Sequence, residues 1–473
     1  MDKMNFSRSI YFKEFCEYVI RLSALEFNAL LIAEKIHNEI EDIAQKQEGG
    51  FWDITKGDLV FIKYMKQLLV LISQNAKPQL NDLIANLLKS AYSEAESKVK
   101  VVFFVQESYL WPSFESVYNA CVKDDRFVAQ LVYIPFNHPN ANKIIDFFNI
   151  YEKELGLPII RHGTYSISNE SPDIAFFLKP FDLIPMQYYI DDVDKVVRRC
   201  VYISYGMEIC SLYSDYHFKL PLIQKAWRHV AHGHPLKENA AKHGDCGENM
   251  SVWGSPRADC YVDCKNKKET SAPEWQKKIK DRKTILWTPH HSIDNYASYL
   301  ELKEEILSYF ENNNDVFLIW RPHPYLFVNL INSKFCDEQE VDLLKQKINQ
   351  CDNVLLDSKP DYRDAFYVSD AIITDGTTFL LEYLYTEKPI LYTKKTENAI
   401  YNATEIETCV YVADKRGDVL NFLKMLESGA DHLKAKRLEL RDKMLFIPEG
   451  RVGEHIKENI YSELITEIKQ EAR

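Results

Sequence analysis

No run of about 18 consecutive apolar residues occurs in the 473-residue chain, so no helix is expected to span a bilayer. There is no glycine-rich loop ending in Gly-Lys-Ser/Thr, no Gly-x-Gly-x-x-Gly after a strand and no Gly-x-Ser-x-Gly elbow. Their absence counts against a nucleoside triphosphatase, a dinucleotide dehydrogenase and a serine hydrolase. Cys-x-x-Cys pairs are also lacking, and the spacing of His243, Cys246, Cys260 and Cys264 fits no common zinc finger or ribbon. No metal site is expected, and no obligatory cofactor. Excess positive charge is missing too: the formal net charge is -12, which argues against a nucleic-acid protein that binds by neutralising phosphates. The ten cysteines form no compact framework, and Met1 to Phe12 is polar and charged rather than an apolar leader. The expectation is a cytoplasmic protein with reduced thiols, in peripheral contact with the inner face of the membrane.

What is present is ample core material, 46% hydrophobic and 13% aromatic residues, at a length suited to two or three domains. From Ser7 to about Ser97 apolar residues recur at helical spacing, for example Phe15, Val19, Leu22 and Leu25. After Lys100 short apolar, β-branched runs begin to alternate with helical patterns. Strands are expected at Val101–Val105, Leu131–Ile134, Ile159–Ile160, Ile174–Phe177 and Val201–Ser204, with helices at Ser113–Val122 and Asn142–Leu155. A second series is expected at Thr284–Thr288, Val316–Trp320, Val354–Leu356, Ala371–Thr374 and Pro389–Tyr392. Between the series, residues 262 to 283 carry eight lysines and arginines and read as a solvated interdomain linker, with an anionic membrane surface as the alternative partner. The alternation predicts an α/β chain of two doubly wound, Rossmann-like units facing a cleft.

Several strands end in polar groups, where open parallel sheets bind ligands. Val316–Trp320 runs into Arg321-Pro322-His323-Pro324, which supplies a fork-shaped cation and an imidazole. Ala371–Thr374 runs into Asp375-Gly376-Thr377-Thr378 at a helix start, where unpaired N–H groups and hydroxyls suit a phosphate or diphosphate. Thr284–Thr288 runs into Pro289-His290-His291, of which one imidazole is expected to face a ligand. In the first unit, His229-Val230-Ala231-His232-Gly233-His234-Pro235-Leu236-Lys237 places a histidine beside a glycine, suited to a general base acting on a substrate hydroxyl.

In this order the motifs resemble the CDP-glycerol glycerophosphotransferases, a family that includes teichoic-acid and capsule polymerases. His232 to Lys237 is similar to that family's His-Gly-Thr-Pro-Leu-Lys, and Gly254-Ser255-Pro256-Arg257-Ala258-Asp259 to its Gly-x-Pro-Arg-x-Asp. Arg321 to Pro324 resembles its Arg-x-His-Pro, Ser369 to Thr378 its Ser-Asp-x-x-Ile-Thr-Asp-Tyr-Ser-Ser, and Glu449 to Ile456 its terminal Asp-Gly-x-x-x-x-Arg-Ile. Gly376 stands where the family has tyrosine, Thr377-Thr378 where it has paired serines, and His234 where it has threonine.

The resemblance implies a GT-B architecture with a helical N-terminal region at 1–98, a Rossmann-like acceptor domain at 99–265, a Rossmann-like donor domain at 266–445 and a C-terminal helix at 446–473. It implies transfer of a polyol phosphate from a CDP-activated donor to a hydroxyl of a surface glycan, with His232 and His323 catalytic. Arg321, His290, His291, Asp375, Gly376, Thr377, Thr378, Glu382, Pro256 and Arg257 would hold the donor. A glycosyltransferase or sugar-nucleotide epimerase on the same fold is the alternative.

Overall fold

A computed structural model describes residues 98–137, 146–244, 247–262, 264–294, 297–375, 378–397, 399–415 and 417–471. The helical reading of Ser7 to Ser97 therefore lies outside the described residues, as do Gly376 and Thr377. The architecture is the expected α/β, GT-B one: two all-parallel sheets, each flanked by helices.

The first sheet holds β1 (Val99–Val105), β2 (Phe127–Tyr133), β3 (Ile159–Arg161), β4 (Ile174–Phe177), β5 (Arg199–Ile203), β6 (Arg228–Ala231) and β7 (Met250–Val252), in the order β3-β2-β1-β4-β5-β6-β7. The second holds β8 (Lys283–Thr288), β9 (Val316–Trp320), β10 (Val354–Leu356), β11 (Ala371–Thr374), β12 (Ile390–Thr393) and β13 (Tyr411–Ala413), in the order β10-β9-β8-β11-β12-β13. The strand order reverses between β1 and β4 in one sheet and between β8 and β11 in the other. Loops leaving neighbouring strands part in opposite directions there, which opens a crevice at the carboxyl edge. The central strands are buried on both faces, as their unbroken apolar runs require.

Sequence periodicity missed β6, β7 and β13. The first begins with Arg228 and His229, and the other two have three residues each, too short to show a period. The basic stretch departs from a solvated linker. Helices span Cys264–Lys267 and Pro273–Ile279, Trp275 and Ile279 are buried, and Lys268 pairs with Asp370. Amphipathic packing of Trp275 outweighs the local lysine content.

The last helix, Val452–Glu471, returns to the first sheet and inserts Val452, Ile456, Ile460, Leu464 and Ile468 into its core. Asp259 caps it from a distance, accepting from the Val452 and Gly453 N–H groups at 2.9 Å each. Gly453 permits the fit, since a Cβ there would lie 2.4 Å from the Ser116 backbone. Gly233 is required for the same reason: a Cβ would meet the Met444 carbonyl at 1.9 Å.

Candidate functional site

The second half gathers three imidazoles. Trp287 and Trp320, buried at the carboxyl ends of β8 and β9, stack with ring centroids 5.2 Å apart, and Tyr299 stacks on both. Backbone pairing continues past the strands, Arg321 N–H donating to Trp287 O at 2.8 Å and His323 N–H to Pro289 O at 3.0 Å. The two exits therefore run side by side. His290, His291 and His323 meet with centroids 4.3 Å (290 to 291), 4.2 Å (291 to 323) and 5.4 Å (290 to 323) apart. All three are half-buried.

Their nitrogens lie within 4.8 Å of one another, close enough to hold a metal ion as well as an anion. The hydrogen bonds discriminate. Each Nδ1 accepts from an N–H group: His290 from Ser292 N at 3.1 Å, His323 from Tyr325 N at 3.2 Å, and His291 from Asn329 Nδ2 at 3.1 Å. A neutral ring whose Nδ1 accepts carries its proton on Nε2, so the trio offers N–H donors rather than metal-binding lone pairs. Burial, and then His291, hold His290 well below the ordinary histidine pKa, which keeps that ring neutral.

Asp375, across the switch point, fastens this arrangement. Its carboxylate accepts from His290 N–H at 2.6 Å, from the Ser298 N–H and hydroxyl, and from the Thr393 hydroxyl at 2.5 Å. Burial raises its pKa to about 6 against the pull of these bonds. Thr378 opens the helix Thr378–Glu382 and presses on Gly206 of the first half, where a Cβ would lie 2.7 Å from Thr378 Oγ1. Arg321 donates to Asp357 Oδ2 at 2.5 Å and to Lys359 O at 2.7 Å. Asp357 was missed in the sequence although, like Asp375, it directly follows an apolar strand.

Pro256, Arg257 and Glu382 occupy the seam between the halves. Pro256 opens the turn Pro256–Cys260. Arg257 donates to Ser113 Oγ at 2.8 Å, Tyr205 O at 2.6 Å, Glu382 Oε2 at 2.7 Å and the Tyr362 hydroxyl. Glu382 also accepts from Tyr261 Oη at 2.7 Å. Arg257 and Glu382 are 2% and 0% exposed, so these two charges are joined to each other across the seam. A carboxylate and a guanidinium 125 residues apart give no sequence sign of such a pairing.

His232 lies on the first-half side of the seam, 4% exposed. Its Nε2 is 3.0 Å from the Tyr401 hydroxyl, and its carbonyl accepts from Phe446 N–H at 2.7 Å. Tyr401 belongs to a strap in which Ser211 N–H donates to Ala399 O and Tyr401 N–H to Ile209 O. Burial lowers the His232 pKa to about 4, with Glu208 opposing the shift and His229 adding to it. Glu208 bonds His217 at 2.7 Å, His229 at 3.2 Å and Tyr202 at 3.2 Å. Although burial alone would raise it, these histidines hold the Glu208 carboxyl well below its usual range.

Residues 234–462 match the family model described as CDP-glycerol:poly(glycerophosphate) glycerophosphotransferase. No curated protein matches the chain. Among solved structures, the S. aureus MnaA–UDP co-structure aligns at TM-score 0.55 and 15% identity, covering 78% of this chain and 98% of that one. The wall teichoic acid polymerase TagF aligns at 0.52 and 14%, covering 86% and 98%. A UDP-GlcNAc 2-epimerase from Neisseria meningitidis bound to UDP-GlcNAc aligns at 0.52 and 13%, covering 78% and 100%. At such identities the likeness is one of fold. The family match supports a CDP-glycerol glycerophosphotransferase-like enzyme, as its motifs led us to expect.

Proposed function

We propose that the protein transfers glycerol phosphate or a similar polyol phosphate from a CDP-activated donor to a hydroxyl of a teichoic-acid or capsule-type glycan, releasing CMP. The observation that carries this reading is the histidine trio, whose Nδ1 atoms all accept and whose Nε2–H groups therefore suit diphosphate oxygens at the β8–β11 switch point. His290, His291, His323 and the Thr378 helix start would grip the diphosphate, with Gly376 and Thr377 between β11 and that helix. Asp375 holds His290 in place, and Arg257 with Glu382 fixes the seam against which the donor lies.

In the proposed step His232 removes the proton from the acceptor hydroxyl, whose oxygen attacks the donor's β-phosphorus. A new P–O bond forms as the bond to the CMP oxygen breaks, and the departing negative charge falls to His323, with Arg321 nearby. A pKa of about 4 keeps His232 unprotonated and ready to accept at neutral pH. The Tyr401 hydroxyl stands on His232 Nε2, so the acceptor hydroxyl must take its place. Positioning and charge stabilisation supply most of what phosphoryl-type transfer needs.

Among the described residues no helix is long and apolar enough to cross a membrane. The proposed location is the inner membrane face, where exposed Lys277, Lys278 and Lys280 would meet anionic lipid.

The test is to incubate the protein with a panel of CDP-activated polyols and follow CMP. Turnover of one donor is expected, and full retention of that turnover by His323→Ala overturns the assignment of His323. Release of a nucleoside diphosphate from a nucleotide sugar would instead establish a glycosyltransferase.

A further inference from the structure

The first sheet has a switch point of its own, between β1 and β4. The strands pair in parallel register through Phe104 and Phe177, so the residues just beyond them emerge side by side at the carboxyl edge. From β1 come Gln106, Glu107 and Ser108, and from β4 comes Lys179. All four are more than nine-tenths buried. Lys179 Nζ donates to Glu107 Oε1 at 2.5 Å and lies 3.6 Å from the Phe136 ring centroid. Gln106 Oε1, Glu107 Oε2 and Ser108 Oγ have no hydrogen-bond partner among the described residues. Three orphaned polar atoms in succession are costly in a structural core.

These groups lie near the histidine trio. Burial and then the Glu107 charge push the Tyr325 phenol up to about 12, and the Tyr325 ring is 5.7 Å from that of His323. The orphans are two obligate acceptors and a hydroxyl, so they call for donors. Vicinal hydroxyls supply donors on an apolar carbon frame, and the Phe136, Phe181 and Tyr205 rings nearby suit such a frame.

Building on the transferase reading, we propose that the β1–β4 switch point is a hydroxyl-binding subsite, in which Gln106, Glu107 and Ser108 take hydrogen bonds from vicinal hydroxyls of a polyol or sugar and Lys179 orients Glu107. Two sources share that chemistry, the polyol of the CDP donor and the acceptor chain.

The test compares the full-length wild type with Gln106→Met and Glu107→Gln, using CMP, CDP-glycerol and a poly(glycerol phosphate) oligomer. Gln106→Met removes an orphaned carbonyl without changing size, so its Tm is expected to rise while ligand recognition weakens. CMP affinity should stay within twofold for both variants. A fivefold or greater loss of CDP-glycerol affinity places the donor's polyol in the subsite. An equal rise in the oligomer's KM, with CDP-glycerol affinity unchanged, places the acceptor there. Unchanged affinities and KM in a Gln106→Met protein of higher Tm would overturn the subsite alone. A wild type that binds no cytidine nucleotide would overturn the transferase reading, and the subsite with it.

Discussion

His232 and the His290–His291–His323 trio are both sets of imidazoles delivered from strand ends, yet their surroundings differ. His232 is 4% exposed, covered by a strap from the other half and backed by Glu208 and two further histidines. The trio is half-buried, and each of its rings accepts at Nδ1 from an N–H group on its own side of the molecule. One environment leaves a buried neutral imidazole, as the proposed base requires, the other a set of N–H donors. Strand-end histidines alone do not separate these tasks; burial and the partner of the second nitrogen do.

Four measurements would break or sharpen the contrast, taken from the largest expected effect downward. His232→Ala should lower CMP release from the donor by roughly 10²–10⁴-fold while leaving CMP affinity unchanged in calorimetry. A matched loss of CMP affinity would mean that the two regions are not separate. The seam between them is the next point of attack. Arg257→Met strands the Glu382 charge in the interior and should cost about 3–5 kcal/mol in denaturant unfolding, most of which the added change Glu382→Leu should restore.

The third measurement uses pH. The folded-state pKa of His232 lies near 4, below its unfolded value, so between about 6.5 and 4 the unfolded chain binds more protons at this site. Its contribution to stability therefore falls as pH drops through that window. His232→Gln is free of the effect, and the stability difference between wild type and variant should move against the wild type by about 3 kcal/mol from pH 7 to pH 4. A constant difference would show that His232 is not sealed in solution. The smallest effect is expected at the trio. His323→Ala removes one donor to a charged oxygen and should weaken CDP-glycerol binding by about 10–100-fold.

Much of this contrast was legible beforehand on one side only. The strands β4, β9, β10 and β11 fall where their apolar runs stop, and His290, His291, His323 and Asp375, which follow β8, β9 and β11, do converge. Local grammar suffices there because each group sits within three residues of its strand. The seam was not legible. Glu208 and Tyr401 follow no motif, and the pairing of Arg257 with Glu382 and of Asp259 with the start of the last helix joins positions more than a hundred residues apart. Such contacts are set by how distant segments pack together in space, which no period along one chain encodes.

The last helix, which returns to the first half, has a mechanical corollary. The polypeptide passes between the halves twice, once between β7 and β8 and again between Met444 and Val452. A single tether would act as a swivel, but two passages define an axle, so any parting of the halves is confined to a swing about the line that joins them. Ile447 on the second passage is 48% exposed, and a protease cut there would turn the hinge into a swivel while the Asp259 cap and the five apolar anchors still hold the severed helix in its seat.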